Sequence, residues 1–155
     1  DFQANEVFAP KCIIMGIRYG FSPKCERFTE KHLDEYNLFI VCADNPGVRA
    51  MVYRHVDAYN KSNKVFRKYF IDMRSEGDMV AVFTDKAPLD TLLESLGSDD
   101  NTRNSTAGRS CQLAADTTRG QIQMGNFLIP VIGAQVLLKM VRGENYPANV
   151  IQSVV

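Results

Sequence analysis

The sequence predicts an α/β domain of three layers: a partly parallel sheet with helices on both faces, and an added antiparallel hairpin. Three observations carry this. The runs CIIMGI (12–17) and LFIVCA (38–43) are apolar without alternation, the pattern of strands covered on both faces. Each is followed by a segment with apolar residues at helical spacing. Farther on, KVFRKYFIDMR and DMVAVFTDK flank Ser75, Glu76 and Gly77, and read as a hairpin or two neighbouring strands turning at Glu76-Gly77.

The elements follow in order. Ser22 is a cap and Pro23 suits the first helical position, so KCERFTEKHLDEY (24–36) is expected to be helical. That helix would place Cys25, Phe28, His32 or Leu33, and Tyr36 near one face. It would also carry the right-handed crossover between 12–17 and 38–43 as adjacent parallel strands. Residues 44–47 (DNPG) end the second run and open a helix with Val48, Val52, Val56 and Tyr59 on one side. Residues 88–96 form a short amphipathic helix stopped by Gly97. Residues 98–110 are polar and read as a flexible loop. From 127 to 141 apolar residues run nearly all the way round, so that helix is expected to be buried on most sides, within the domain or at a subunit interface. Pro130 either marks its first turn or kinks it, and Gly143 stops it. The tail, 147–155, is apolar and β-prone, suited to an edge strand of this or another chain.

Composition narrows the function classes. At 155 residues the chain, 1–155, reads as one domain with a real core. Its 18 Lys and Arg balance 18 Asp and Glu, which argues against nucleic acid or an anionic membrane as the main partner. No apolar run reaches the ~18 residues of a membrane span, and the start has no signal pattern. Cys12, Cys25, Cys42 and Cys111 form no C-x-x-C pair, which favours free thiols in a reducing, cytoplasmic setting over disulfides or structural zinc. Cys12 and Cys42 lie in apolar runs and read as small core residues. His32 and His55 lack metal-like partners and read as surface or satisfied core residues.

Two residues stand out for chemistry. Asp44 follows an apolar strand, where ligands gather in open α/β sheets, and a carboxylate there can hold Mg²⁺ beside phosphates. The simpler reading is that Asp44 caps the helix beginning near Pro46. Cys111 is the one cysteine in a polar setting, next to Arg109, whose cation favours the thiolate. It is expected to be the most accessible of the four and more reactive than Cys12 or Cys42; the plainer reading is an incidental thiol beside a loop.

FIVCADNPGVR (39–49), SEGDMVAVFTD (75–85), SCQ (110–112) and GNFLIPVIGAQVLLKMVRG (125–143) occur in an order that resembles the C-terminal half of ThiF/MoeB-type, ubiquitin-activating-enzyme-like adenylyltransferases. VCADNPGVR is similar to the family's D-C-T-D-N-x-x-x-R. Asp44, Asn45 and Arg49 match its second Asp, its Asn and its Arg, and Val41 stands at the first Asp. Gly77, Val82, Phe83 and Thr84 match the family's M-x-G-Q-I-T-V-F-T hairpin. Gly133, Gln135 and Lys139 match its P-L-I-G-x-I-G-S-x-Q-A-x-E-A-I-K-x-L-x-G helix.

The resemblance implies a partial Rossmann-like sheet, Asp44 and Asn45 at the nucleotide, and Asp44 at the metal. It also places Cys111 in a crossover loop, as a candidate catalytic cysteine forming a thioester or persulfide-type intermediate. ATP and Mg²⁺ would serve the complete enzyme, with a small ubiquitin-like or sulfur-carrier protein as substrate and a homodimer as the assembly. The chain departs from the pattern upstream. Gly16 and Gly20 in GIRYG have the wrong spacing for G-x-G-x-x-G, and the ribose acid, the Asn-x-x-Arg-Gln segment and a catalytic lysine have no counterpart. The stretch between Cys111 and VIGAQ is also longer than in MoeB-like proteins. The chain alone is therefore expected to bind no cofactor tightly. Asp1 reads as a boundary within a longer protein, since the chain starts without methionine and mid-fold by this comparison. The alternative is a non-catalytic ThiF-like module for partner binding or dimerisation.

Overall fold

The computed structural model describes residues 18–20, 22, 24, 26–43, 45–76, 79–97 and 125–153. A 3₁₀ turn, Glu30–His32, precedes strand β1 (Leu38–Val41), helix α1 (Pro46–Ser62), strands β2 (Tyr69–Glu76) and β3 (Met79–Thr84), helices α2 (Leu89–Glu94) and α3 (Gly125–Val141), and strand β4 (Asn149–Ser153). The four strands form one mixed sheet in the order β1-β2-β3-β4. β1 and β2 are parallel, with Val41 opposite Asp72, and are joined through α1. The remaining pairs are antiparallel, and the β2–β3 ladder runs to Glu76 opposite Met79, as the hairpin reading expects.

Alternation along the strands divides the core into two faces. On the first, Phe39, Val41, Phe70 and Phe83 pack with Val52, Tyr53 and Val56 of α1 and Leu92 of α2. On the second, Ile71, Val80 and Val82 pack with Ile129 and Val136 of α3. Helices thus cover both faces of an α/β sheet. α1 buries Arg49, Val52, Tyr53 and Val56, the i, i+3, i+4, i+7 stripe that its apolar spacing demands. α2 stands where expected, and Gly97 beyond it takes φ +81°, open to glycine without strain. β4 pairs with β3 along the sheet edge, within the β-prone tail.

Two expectations are corrected and a third is narrowed. The helix over 24–36 is replaced, between 26 and 37, by the single 3₁₀ turn. His32 Nδ1 accepts the Thr29 backbone N–H at 2.9 Å, and the Phe28 ring stacks on the imidazole with centroids 5.3 Å apart. The ammonium of buried Lys68 takes the carbonyls of Leu33 and Tyr36, which pins the chain just after the turn. The phenyl, imidazole and leucine still reach the core, through a turn.

Second, β1 ends at Val41, and Cys42 is exposed rather than a core residue. Third, among the described residues α3 packs against its own chain on one side, which leaves the subunit-interface alternative for its other side. Ile129 and Val136 face the sheet, while Phe127, Val131, Leu138 and Val141 are 71%, 54%, 48% and 74% exposed. The reason is placement: α3 lies over β2 and β3, and the side toward them is covered. The helix runs through Pro130, which therefore does not mark its first turn.

The strand expected at 12–17, the loop at 98–110, Gly77 and the cysteines Cys12, Cys25 and Cys111 lie outside the described residues. Among the described residues no helix is long and apolar enough to cross a membrane.

Candidate functional site

The parallel βαβ unit brings chemistry to one place, the corner where β1 ends and α1 begins. Asn45 is the N-cap there: its Oδ1 accepts from the Gly47 N–H at 2.8 Å and the Val48 N–H at 3.3 Å. Pro46 occupies the first turn, where a missing N–H costs nothing. The cap expected of Asp44 is therefore made by its neighbour. Asp44 itself lies outside the described residues, as do Cys111 and Arg109. With Oδ1 engaged, Asn45 has its Nδ2 group left over from the cap.

Beneath the corner lies a buried polar cluster. Asp72 is fully buried in β2, level with the end of β1. Arg49, from the first turns of α1, bonds its Oδ1 through Nη1, and the Tyr53 hydroxyl donates to Oδ2. Arg74 Nε donates to the same Oδ2 at 2.7 Å, Nη2 donates to the Tyr53 hydroxyl at 2.6 Å, and Nη1 donates to the Ser95 carbonyl at 3.0 Å. The Arg74 guanidinium also lies 4.5 Å from the centroid of the Phe83 ring. Two guanidinium groups share one carboxylate beneath the N-terminus of α1.

The field of this cluster reaches its neighbours. Burial pushes the Cys42 thiol above its ordinary value, and the Arg49 charge offsets part of that rise. Burial likewise raises the Tyr53 phenol against the opposing pull of Arg74 and Arg49. Cys42 is exposed, and partial desolvation and the Arg49 charge act on its thiol in opposite directions.

Of the resemblance residues, the structure brings Asn45 and Arg49 to one corner, while Gly133 and Lys139 stand on α3 against the other face. Gly133 is buried, and a Cβ there would stand 3.2 Å from Met73 Cγ and closer still to its sulfur, so its match reflects packing. Sequence reading passed over Asp72, Tyr53, Arg74 and Lys68. The signal was present: Asp72 interrupts the apolar run YFIDM in a strand, and a carboxylate there requires buried partners.

A shallow open cleft on the outer side of α1 is lined by Glu30, Asp34, Gly47, Met51, Arg54 and His55. His55 Nε2 stands 3.8 Å from Asp34 Oδ1, beyond hydrogen-bond reach. His32 is buried, with Nδ1 beside the Thr29 backbone and Nε2 3.2 Å from Glu26 Oε1. Among the described residues no three His, Cys, Asp or Glu side chains are grouped to hold a metal. Comparison of the chain with protein-family models, with curated proteins and with solved structures gives no match.

Proposed function

We propose that this chain is the C-terminal part of an ATP-dependent ThiF/MoeB-type enzyme, built on a partial Rossmann-like sheet, that activates the C-terminus of a small ubiquitin-like or sulfur-carrier protein by adenylation. One observation carries the reading: Arg49, the arginine of the family-like segment, is pinned by Asp72 under the corner where Asn45 caps α1. In that role the carrier's carboxylate attacks the α-phosphorus of ATP, forming an acyl-adenylate and releasing pyrophosphate. Asp44 would hold Mg²⁺ beside the phosphates, and Cys111 would accept the acyl group from the adenylate with loss of AMP.

The corner suits one edge of a nucleotide site. Two N–H groups at the start of α1 are already taken by Asn45, and a phosphate cradle needs several convergent ones. The rest of the site would come from an upstream strand–loop–helix or another subunit. Two measurements test this. Calorimetry of the chain alone with ATP and Mg²⁺ is expected to show no micromolar binding. Pyrophosphate exchange by the complete protein is expected to depend on the carrier and to be lost in Asp44→Ala. Exchange that survives Asp44→Ala, or tight ATP binding by the chain alone, overturns the assignment.

A second reading has its own support. The bare apolar side of α3 favours a non-catalytic ThiF-like module that binds a partner or dimerises. A complete protein that lacks the glycine-rich loop and shows no exchange, while still assembling, would select it.

A further inference from the structure

The loop between α1 and β2 is packed inside out. Lys68 is buried, with its ammonium on the Leu33 and Tyr36 carbonyls and 5.0 Å from the centroid of the Tyr59 ring. Val65 and Phe66, just before it, are 84% and 75% exposed. Ordinary packing buries the phenyl and exposes the amine. Both stems of the loop are fixed. Asn60 Nδ2 donates to the Lys68 carbonyl at 2.8 Å, and its Oδ1 accepts the Lys68 N–H at 2.9 Å. Asn63 Nδ2 donates to the Tyr59 carbonyl at 2.9 Å. A built frame thus holds the two apolar side chains out in water, so the loop has little freedom left to lose when they are covered. Charge is sorted here as well. Residues 58–71 hold Lys61, Lys64, Arg67 and Lys68 and no Asp or Glu. Asp57 pairs with Lys61, and the Asp85 side chain, 3.6 Å from Arg67, is buried. At the surface Val65 and Phe66 therefore stand between the exposed cations of Lys64 and Arg67.

We propose that Val65 and Phe66 dock this chain reversibly on an anionic lipid surface, with Lys61, Lys64 and Arg67 at the headgroups. Complementarity selects the occupant: an apolar tip flanked by cations matches acyl chains beneath anionic headgroups. The balance of charge over the whole chain argues against a membrane as the main partner, but that balance governs the field at long range. A docked loop acts within a Debye length, ~8 Å at physiological salt, where the local cations decide. Two apolar side chains and three cations give weak, reversible binding and no stable anchor. Placement permits it. The loop joins the C-terminal end of α1 to the start of β2, at the end of the parallel βαβ unit opposite the β1–α1 corner. A chain docked this way keeps that corner free. The proposal goes beyond the adenylation reading and uses none of its residues.

The chain contains no tryptophan, so Phe66→Trp gives a single reporter at the tip. At low ionic strength the chain should sediment with vesicles of phosphatidylcholine and phosphatidylserine, and less with phosphatidylcholine alone. Added salt should weaken the binding. The Phe66→Trp emission should move to the blue on the mixed vesicles. Phe66→Ser should lower the partition coefficient about tenfold or more, and Lys64→Gln about fivefold. Both side chains are exposed, so circular dichroism and melting of these variants should match the wild type. Failure to sediment with the mixed vesicles overturns the proposal. So does binding that survives Phe66→Ser, which would put the contact elsewhere, or equal binding to both kinds of vesicle, which would leave the cations without a role. A chain that ignores vesicles but loses affinity for a carrier protein in Phe66→Ser assigns the loop to a protein partner and overturns it too. The vesicle measurements do not read pyrophosphate exchange, so failure here is separable from failure of the adenylation reading.

Discussion

On one face of the sheet a carboxylate, Asp72, lies among Arg49, Tyr53 and Arg74; on the other, Ile71, Val80 and Val82 meet Ile129 and Val136 of α3 through apolar contacts. The first face works only in one arrangement. Each of its hydrogen bonds has a direction, and a slip of one residue would bury an unpaired charge. The second face constrains volume more than identity, and among the described residues its helix is held from one side. The difference teaches where this fold is exacting. The α1 face sets the position of the β1–α1 corner, and the α3 face supplies burial and a surface for something else.

The comparison breaks most visibly at Asp72. Asp72→Ala leaves two guanidinium groups without their shared carboxylate, and the Tyr53 hydroxyl without its acceptor. Removing one member of a buried ionic group costs about 3–5 kcal/mol, so urea denaturation should lose much of the stability of a domain this size. A loss under about 1 kcal/mol would mean that water reaches the cluster and that the first face is no more exacting than the second.

The second face is sharpened at Gly133. A Cβ there must displace the Met73 side chain, and overpacking a core costs typically 1–3 kcal/mol. The substitution also removes a helical glycine, worth roughly 1 kcal/mol in the other direction. Because the obstructing atoms belong to a flexible thioether, Gly133→Ala should destabilise by about 1 kcal/mol or less, whereas Gly133→Val should cost more. A stabilised Gly133→Ala protein would show that α3 is not seated as closely as the geometry places it.

Much of this architecture is legible in the residues, and the parts that are not share a cause. Val52 and Val56 announce α1 by spacing, and KVFRKYFIDMR with DMVAVFTDK announces the antiparallel pair. Both signals are local periodicities. The turn at 30–32 was hidden because the contact that pins the chain after it, from Lys68 to the Leu33 and Tyr36 carbonyls, comes from far along the sequence. Cys42 looked buried because the apolar run continues to residue 43, while pairing with β2 stops at Val41 opposite Asp72. The corner itself was half legible. Asn45 and Arg49 stood out through a motif, but their anchor Asp72 is 23 residues beyond Arg49 and joins them only through the parallel pairing. Periodicity also shows that α3 is apolar all round, but not which side meets the sheet.

The smallest expected effect is on the alkaline side, and it separates two tyrosines. Burial raises the Tyr53 phenol, with Arg74 and Arg49 pulling against it. Burial raises the Tyr146 phenol, and the Asp85 carboxylate, which accepts its hydroxyl at 3.1 Å, raises it further. A phenol whose folded value is raised keeps its proton after the unfolded chain has begun to lose it. The unfolded state then binds fewer protons, and stability falls as pH rises through the ordinary phenol value near 10. Each phenol held protonated costs about 0.4 kcal/mol at pH 10, with the slope steepening above it. Tyr53→Phe would disturb the Asp72 cluster, so the clean variant is Tyr146→Phe, which loses only the contact with Asp85. Thermal melts of the wild type and Tyr146→Phe from pH 8 to 10.5 should converge as pH rises, because the variant lacks one of the two titrations. Curves that stay parallel across that window would mean that the Tyr146 phenol ionises as freely in the fold as in the unfolded chain, and that the loop carrying it ahead of β4 is open to water.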